Sequence, residues 1–139
     1  PAAPHPVGTL ATIAEWDMEQ LGILTVTVHG GRRFRILESS AGPGNLLEAN
    51  VELLAEPGPT PFPAERSRLL PLMRRIAGDL GPERIPEPYR LDEAEWVGYR
   101  ITEVLPIQNL ARQKLLELDD PLARLEILER FLDQRKLLD

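Results

Sequence analysis

Residues 23–37 read ILTVTVHGGRRFRIL. How this stretch divides decides how many strands the first part of the chain holds. Leu24, Val26 and Val28 alternate with Thr25 and Thr27, the two-residue period of a strand with one apolar face. Gly30-Gly31 then reads as a two-residue hairpin turn, because a type I′ turn needs positive φ at both positions and glycine supplies it. Arg32 to Glu38 becomes the return strand. Arg32, Phe34 and Ile36 share one of its faces, and Arg33, Arg35 and Leu37 the other.

Upstream, Val7 to Glu19 reads as a strand marked by Leu10, Ile13 and Trp16, closed by a turn at Gln20-Leu21-Gly22. Downstream, residues 41–45 (AGPGN) form a longer turn. Leu46 to Glu56 follows as a strand with Ala49, Val51 and Leu53 on one face. These patterns predict three antiparallel strands and a fourth beside them. The composition changes at PGPTPFP, residues 57–63. Its prolines cannot donate to a ladder or continue a helix, so the segment reads as a stiff linker. The expected organisation is a β-rich part over 1–56, the linker 57–63 and a helical part over 64–139.

In the helical part, Ala64 to Leu80 carries an apolar stripe of Leu69, Leu72, Met73, Ile76 and Leu80, with Pro71 kinking the helix or delaying its start. Gly81-Pro82 ends it. Asp92 is read as the cap of the next helix, with Glu95 as its capping-box partner. The inward face of that helix is Ala94, Val97, Ile101, Val104 and Leu105, and Pro106 breaks it. A third helix starts near Ile107 with Leu110, Ala111, Leu115 and Leu118 at helical spacing. Asp120-Pro121 restarts the chain as N-cap and first helical residue. The last helix then runs through Leu122, Leu125, Leu128 and Leu132.

Composition narrows the function. The chain has 139 residues, a net charge of −6, and no cysteine. An acidic chain is a poor general binder of nucleic acid or anionic membrane. Without cysteine there are no disulfides, thiol nucleophiles or Cys-based zinc sites, which fits a reducing, cytoplasmic setting. No apolar run reaches the roughly 18 residues of a membrane span, and no signal peptide is visible.

Motifs for chemistry are scarce. His5 and His29 are the two histidines, and no Gly-x-Ser-x-Gly elbow exists for Ser39 or Ser40. No histidine pair has metal-ligand spacing, and Asp119-Asp120 is explained by helix capping. The adjacent glycines before a strand do not make a phosphate loop, which needs spaced glycines opening a helix. Arg33 and Arg35 are read either as solvated strand residues or as the rim of a binding surface. Trp16, Trp96, Tyr89 and Tyr99 fit a core or layer interface, and a tryptophan near a strand end also suits a peptide groove.

The series VGTLATIAEWD, GILTVTVHGGRRFRIL, ANVELLAE and LPIQNLARQKLLELDDPLARLEILERFL resembles the N-terminal, substrate-binding domain of Lon proteases. The LLELDDPLARLE segment carries most of the likeness, with Trp96 to Pro106 ahead of it. The family's opening segment, LPLFPL followed by an IFExRY-type stretch, does not occur within these 139 residues, and whether it precedes Pro1 stays open. Neither a Walker A motif nor a Ser-Lys protease dyad occurs, so a stand-alone Lon-domain protein is the expectation, with an excised domain of a longer protein as the alternative. The resemblance implies an α+β fold in which an antiparallel PUA-like β pseudo-barrel is followed by a C-terminal helical bundle. It implies no enzyme activity, no catalytic residue, no metal and no cofactor. Its expected partners are unfolded or degron-bearing client polypeptides and a separate protease, with no nucleic acid and no membrane. Trp16, Arg33, Arg35 and Trp96 are the candidate peptide-binding residues. A small-ligand or RNA-binding module, by analogy with other PUA-like folds, is the alternative, and the arginine strand motivates it. The sequence leaves the oligomeric state open.

Overall fold

The computed structural model describes residues 3–138. The chain divides into two compact units between Glu56 and Pro57. The first contains β1 (Val7–Gln20), β2 (Ile23–Ala41) and β3 (Leu47–Leu53). The second contains α1 (Leu69–Leu80), α2 (Ala94–Val104), α3 (Asn109–Glu117) and α4 (Pro121–Gln134). The α+β composition is thus the one expected. The strands form an open antiparallel sheet in the order β1-β2-β3. No pseudo-barrel closes among the described residues, and three strands are too few to close one.

The first correction concerns Gly30-Gly31. They do not turn. β2 runs through them without a break for 19 residues, and neither glycine has positive φ. The hairpin turn lies upstream, where Gln20 pairs with Ile23 across Leu21-Gly22. Gly22 takes φ 86° there, a conformation that glycine adopts without steric cost. The two segments read as separate strands are one strand, so the described sheet has three strands and not four.

The glycines lie instead at an irregularity in the β1–β2 pairing. Thr9 pairs with Arg33, and Ala11 pairs with Gly30. Leu10 on β1 therefore faces two residues on β2, Gly31 and Arg32. Two residues against one is a β-bulge. An ideal Cβ on Gly30 would stand 3.4 Å from the Thr9 methyl, and one on Gly31 would stand 3.6 Å from the Leu10 carbonyl oxygen. Both are ordinary van der Waals distances, so the bulge has room for a small side chain at either position.

The helical unit has a continuous core. Leu69, Met73 and Ala77 of α1 pack with Val97 and Ile101 of α2, Leu115 of α3, and Leu125, Leu128 and Leu132 of α4. Leu110 and Leu122, read as part of the apolar stripes, are exposed instead. α1 begins at Leu69, so Pro71 falls in its first turn, where its missing N–H costs no helical bond.

Asp120 caps α4 as expected, accepting from the N–H groups of Leu122 at 2.9 Å and Ala123 at 3.3 Å. The expected Asp92–Glu95 capping box does not form. Glu93 is the N-cap of α2, without a side-chain bond. Glu95 instead accepts from the Thr60 N–H at 2.8 Å and the Thr60 hydroxyl at 3.2 Å. Phe62 N–H donates to Asp92 O at 2.9 Å, and Ala94 N–H donates to Thr60 O at 2.9 Å. The proline segment is thereby tied to the start of α2 and does not hang as a linker.

Arg124 organises the α3–α4 corner. It is 1% exposed. Its Nε donates to Leu115 O at 3.0 Å and its Nη2 to Leu118 O, so it serves the carbonyls at the C-terminal end of α3. A cation there also suits the helix dipole. The guanidinium stacks on the Tyr99 ring at 4.2 Å. Gly98 makes room for it, since a Cβ there would meet Arg124 Cδ at 3.3 Å.

Arg124→Leu keeps an apolar volume but removes the donor. It is expected to destabilise the helical unit by about 2 kcal/mol, measured by urea denaturation followed by circular dichroism. A second test concerns the exposed pair of Arg68 and Asp133, 2.6 Å apart. The hydrogen bond from Arg68 holds the Asp133 carboxyl below its ordinary range. A depressed folded pKa stabilises above the unfolded value and loses that contribution as pH falls through the folded one. Arg68→Ala should flatten stability against pH below about 4, read from unfolding curves at successive pH values.

Candidate functional site: the β1–β2 ribbon

The bulge has a consequence for side-chain direction. Strand residues alternate faces, and an extra residue reverses the alternation beyond it. On the turn side of the bulge, Ile13 pairs with Val28 and Trp16 with Val26. With Leu24 they form one apolar face of the ribbon. The opposite face there is polar: Thr12 pairs with His29, Glu15 with Thr27, and Asp17 with Thr25. Beyond the bulge the pattern is inverted. Arg33 and Arg35 follow on the face of Val26 and Val28, while Phe34 and Ile36 lie on the other, opposite Leu53 and Val51. The apolar surface of the sheet changes sides at Gly31-Arg32.

The turn side of this ribbon is open to solvent. Ile13 is 64% exposed and Trp16 68%, and Leu24, Val26 and Val28 are exposed beside them. Isolated surface apolar residues are ordinary, but a contiguous patch on one sheet face marks an interaction surface. β1 is also an edge strand, paired on one side only among the described residues. Its free backbone groups can receive another extended chain.

Of the candidate peptide-binding residues in the sheet unit, Arg33 and Arg35 lie side by side on one face of β2, and Trp16 lies far from them. Trp16 sits in the exposed apolar face. Arg35 is paired with Val7 and Trp16 with Val26, which places them roughly 30 Å apart along the ribbon at about 3.3 Å per residue. Arg33 is neither solvated nor a rim residue: it is 4% exposed, and its Nε donates to Glu56 Oε1 at 2.9 Å. Arg32 Nη2 donates to Leu54 O at 2.9 Å. Trp96 belongs to the helical unit, half-buried against its core, with its ring centroid 6.1 Å from that of Tyr89.

Catalytic and metal groupings fare no better. His29 and Ser39 lie on one strand, ten positions apart, roughly 30 Å at strand rise, too far to form a nucleophile and base pair. No three His, Cys, Asp or Glu side chains could hold a metal ion among the described residues. A hollow lined by Glu38, Ser39, Ser40, Glu48, Ala49 and Asn50 is polar. Asn50 Nδ2 donates to Glu38 Oε1 inside it. No helix among the described residues is long and apolar enough to cross a membrane.

The exposure of Ile13, Leu24, Val26 and Val28 was missed from the sequence. Alternation marks one apolar face, but it is silent on whether anything covers that face.

The described residues thus form an α+β arrangement with an exposed apolar face on the sheet unit and a core in the helical unit. Comparison with known proteins agrees with this class. The chain belongs to the ATP-dependent protease La (LON) substrate-binding domain family, which matches residues 2–134. It is similar to the crystal structure of a Lon N-terminal domain protein from Xanthomonas campestris, with 30% sequence identity and a TM-score of 0.75. That alignment covers 91% of this chain and 68% of the other. The N-terminal domain of the Mycobacterium avium complex Lon protease shares the fold, with 23% identity, a TM-score of 0.62, and coverage of 92% and 68%. No curated protein matches the chain.

Because these side chains are already exposed, Ile13→Ser with Trp16→Ser should leave unfolding free energy within about 0.5 kcal/mol of the parent. The same double change should sharply reduce fluorescence of a dye that reports apolar surface. Leu128→Ala, in the helical core, should by contrast cost about 3 kcal/mol.

Proposed function

We propose that this chain is a non-catalytic module that binds unfolded or degron-bearing polypeptides. The observation that carries the proposal is the exposed apolar face of Ile13, Trp16, Leu24, Val26 and Val28 beside the open edge of β1. Edge pairing supplies backbone hydrogen bonds that do not depend on client sequence. The apolar face supplies burial at roughly 25 cal/mol per Å². Family membership supports the same role, since the family is a substrate-binding domain. Clients gathered in this way would be passed to a separate protease. A chain without cysteine suits the reducing cytoplasm for that work.

Within this reading Trp16 is the central contact, because an exposed aromatic ring offers large area at low entropic cost. Arg33, through Glu56, fixes the base of the sheet. Less favours the nucleic-acid alternative: Arg32 and Arg33 are engaged within the sheet unit, which leaves Arg35 exposed, and β1 contributes three carboxylates and no basic residue.

The test is titration of a permanently unfolded protein, reduced and alkylated lysozyme, with native lysozyme as the control. Micromolar binding of the unfolded form alone is expected, an affinity of about −8 kcal/mol. Trp16→Ala should weaken it about ten-fold, a loss of about 1.4 kcal/mol. Equal binding of native and unfolded lysozyme, or none of either, would overturn the proposal.

A further inference from the structure

The polar side of the ribbon carries a second layer of information. β1 reads VGTLATIAEWDMEQ and contains Glu15, Asp17 and Glu19 but no cation. Trp16 pairs with Val26 on the apolar face, while Glu15 and Asp17 pair with Thr27 and Thr25 on the opposite one. Among the described residues no basic side chain forms an ion pair with Glu15, Asp17 or Glu19. Asp17 Oδ1 accepts from the neighbouring Met18 N–H at 2.7 Å, which fixes its carboxylate beside the strand.

A strand added to β1 must alternate its own side chains between these faces. Residues directly opposite across an antiparallel or parallel pair lie close enough to interact, and opposite charges there are favourable. One set of the incoming residues would lie beside Ile13 and Trp16. The alternate set would lie beside Glu15 and Asp17. Like charges in that second set would be repelled, and an acidic client edge would be rejected as effectively as a basic one is drawn in.

We infer that the outer edge of β1 selects extended client segments in which apolar and basic residues alternate. The inference rests on the proposed binding of unfolded polypeptides and names the class of segment taken. The net charge of −6 favours the same clients at long range. Two short register breaks in β1, between Ile13 and Glu15 and between Asp17 and Gln20, confine the regular pairing to the stretch around Trp16. A short segment is therefore sufficient, and the charge pattern near its centre counts most.

The experiment uses fluorescently labelled peptides of about nine residues, a length typical of a strand. Leucine alternates with lysine in one, with glutamate in a second and with serine in a third. A fourth has the lysine peptide's composition with all lysines at one end. Binding to the whole chain is followed by anisotropy, and the chain's own association state by sedimentation. The alternating lysine peptide is expected to bind about ten-fold more tightly than the glutamate peptide, with serine between, and to weaken as salt is raised. Glu15→Lys with Asp17→Lys, both at exposed positions, should reverse the order of the lysine and glutamate peptides.

Equal affinity for all three alternating peptides would overturn the inference. So would equal binding of the blocked and alternating lysine peptides, which would reduce the effect to net charge. An unchanged order in the double variant, or a β1-edge dimer that protects Trp16 without peptide, would overturn it as well. If unfolded lysozyme still binds in any of these cases, the proposed function survives and only the selectivity falls. If unfolded lysozyme does not bind, both fall together.

Discussion

The sheet unit turns on one extra residue. A strand has a strict two-residue period, so its apolar set stays on one face for as long as pairing is regular. The β1–β2 pairing breaks that regularity at three places, and at Gly31-Arg32, where Leu10 faces two residues of β2, the apolar set of β2 changes face. On one side of the break, Phe34 and Ile36 lie with Val51 and Leu53 of β3. On the other, Val26 and Val28 lie with Trp16 and Ile13 of β1 on the opposite face. A regular strand over the same residues would have placed the apolar positions of both halves on one face. The exposed apolar face and its polar reverse depend on this bulge together with the register break between Ile13 and Glu15, which brings Ile13 and Trp16 to one face.

The helical unit depends on a different constraint, the satisfaction of helix ends. A helix leaves carbonyls without partners at its C-terminus and N–H groups without partners at its N-terminus. In the segment LLELDDPLAR both needs are met within a few residues. Asp120 accepts from the first N–H groups of α4, and Arg124, one turn later, donates to the last carbonyls of α3. Burying a guanidinium is costly unless its donors are used, and here they are used on backbone oxygens and on the face of Tyr99. The most recognisable segment of the sequence is therefore also the segment with the most specific local chemistry.

The strand directions, the Leu21-Gly22 turn, the Asp120 cap and the core faces of α2 and α4 were legible because each depends on neighbours in sequence. Alternation identified Leu24, Val26 and Val28 as one face, and helical spacing identified Leu125, Leu128 and Leu132. Gly30-Gly31 was misread because two glycines serve a tight turn and a bulge equally well. Only the pairing partner, β1, distinguishes them. Glu95 was misread for a similar reason: its partner, Thr60, lies 35 residues away, beyond any capping-box spacing. Arg33 was misread because alternation assigns a face but not its environment, and Glu56, which engages it, lies 23 residues on.

The sequence by itself determined which residues could form strands and helices, and that the chain resembles a Lon substrate-binding domain. These are matters of residue type and short-range spacing, which the chain encodes directly. The tertiary structure alone decided that β2 is a single strand, that Arg33 is buried, and that the apolar face around Trp16 is left open beside an acidic edge. Exposure and register are properties of pairs of segments, because a side chain is buried or bare according to what packs against it, and its own neighbours in sequence do not specify that.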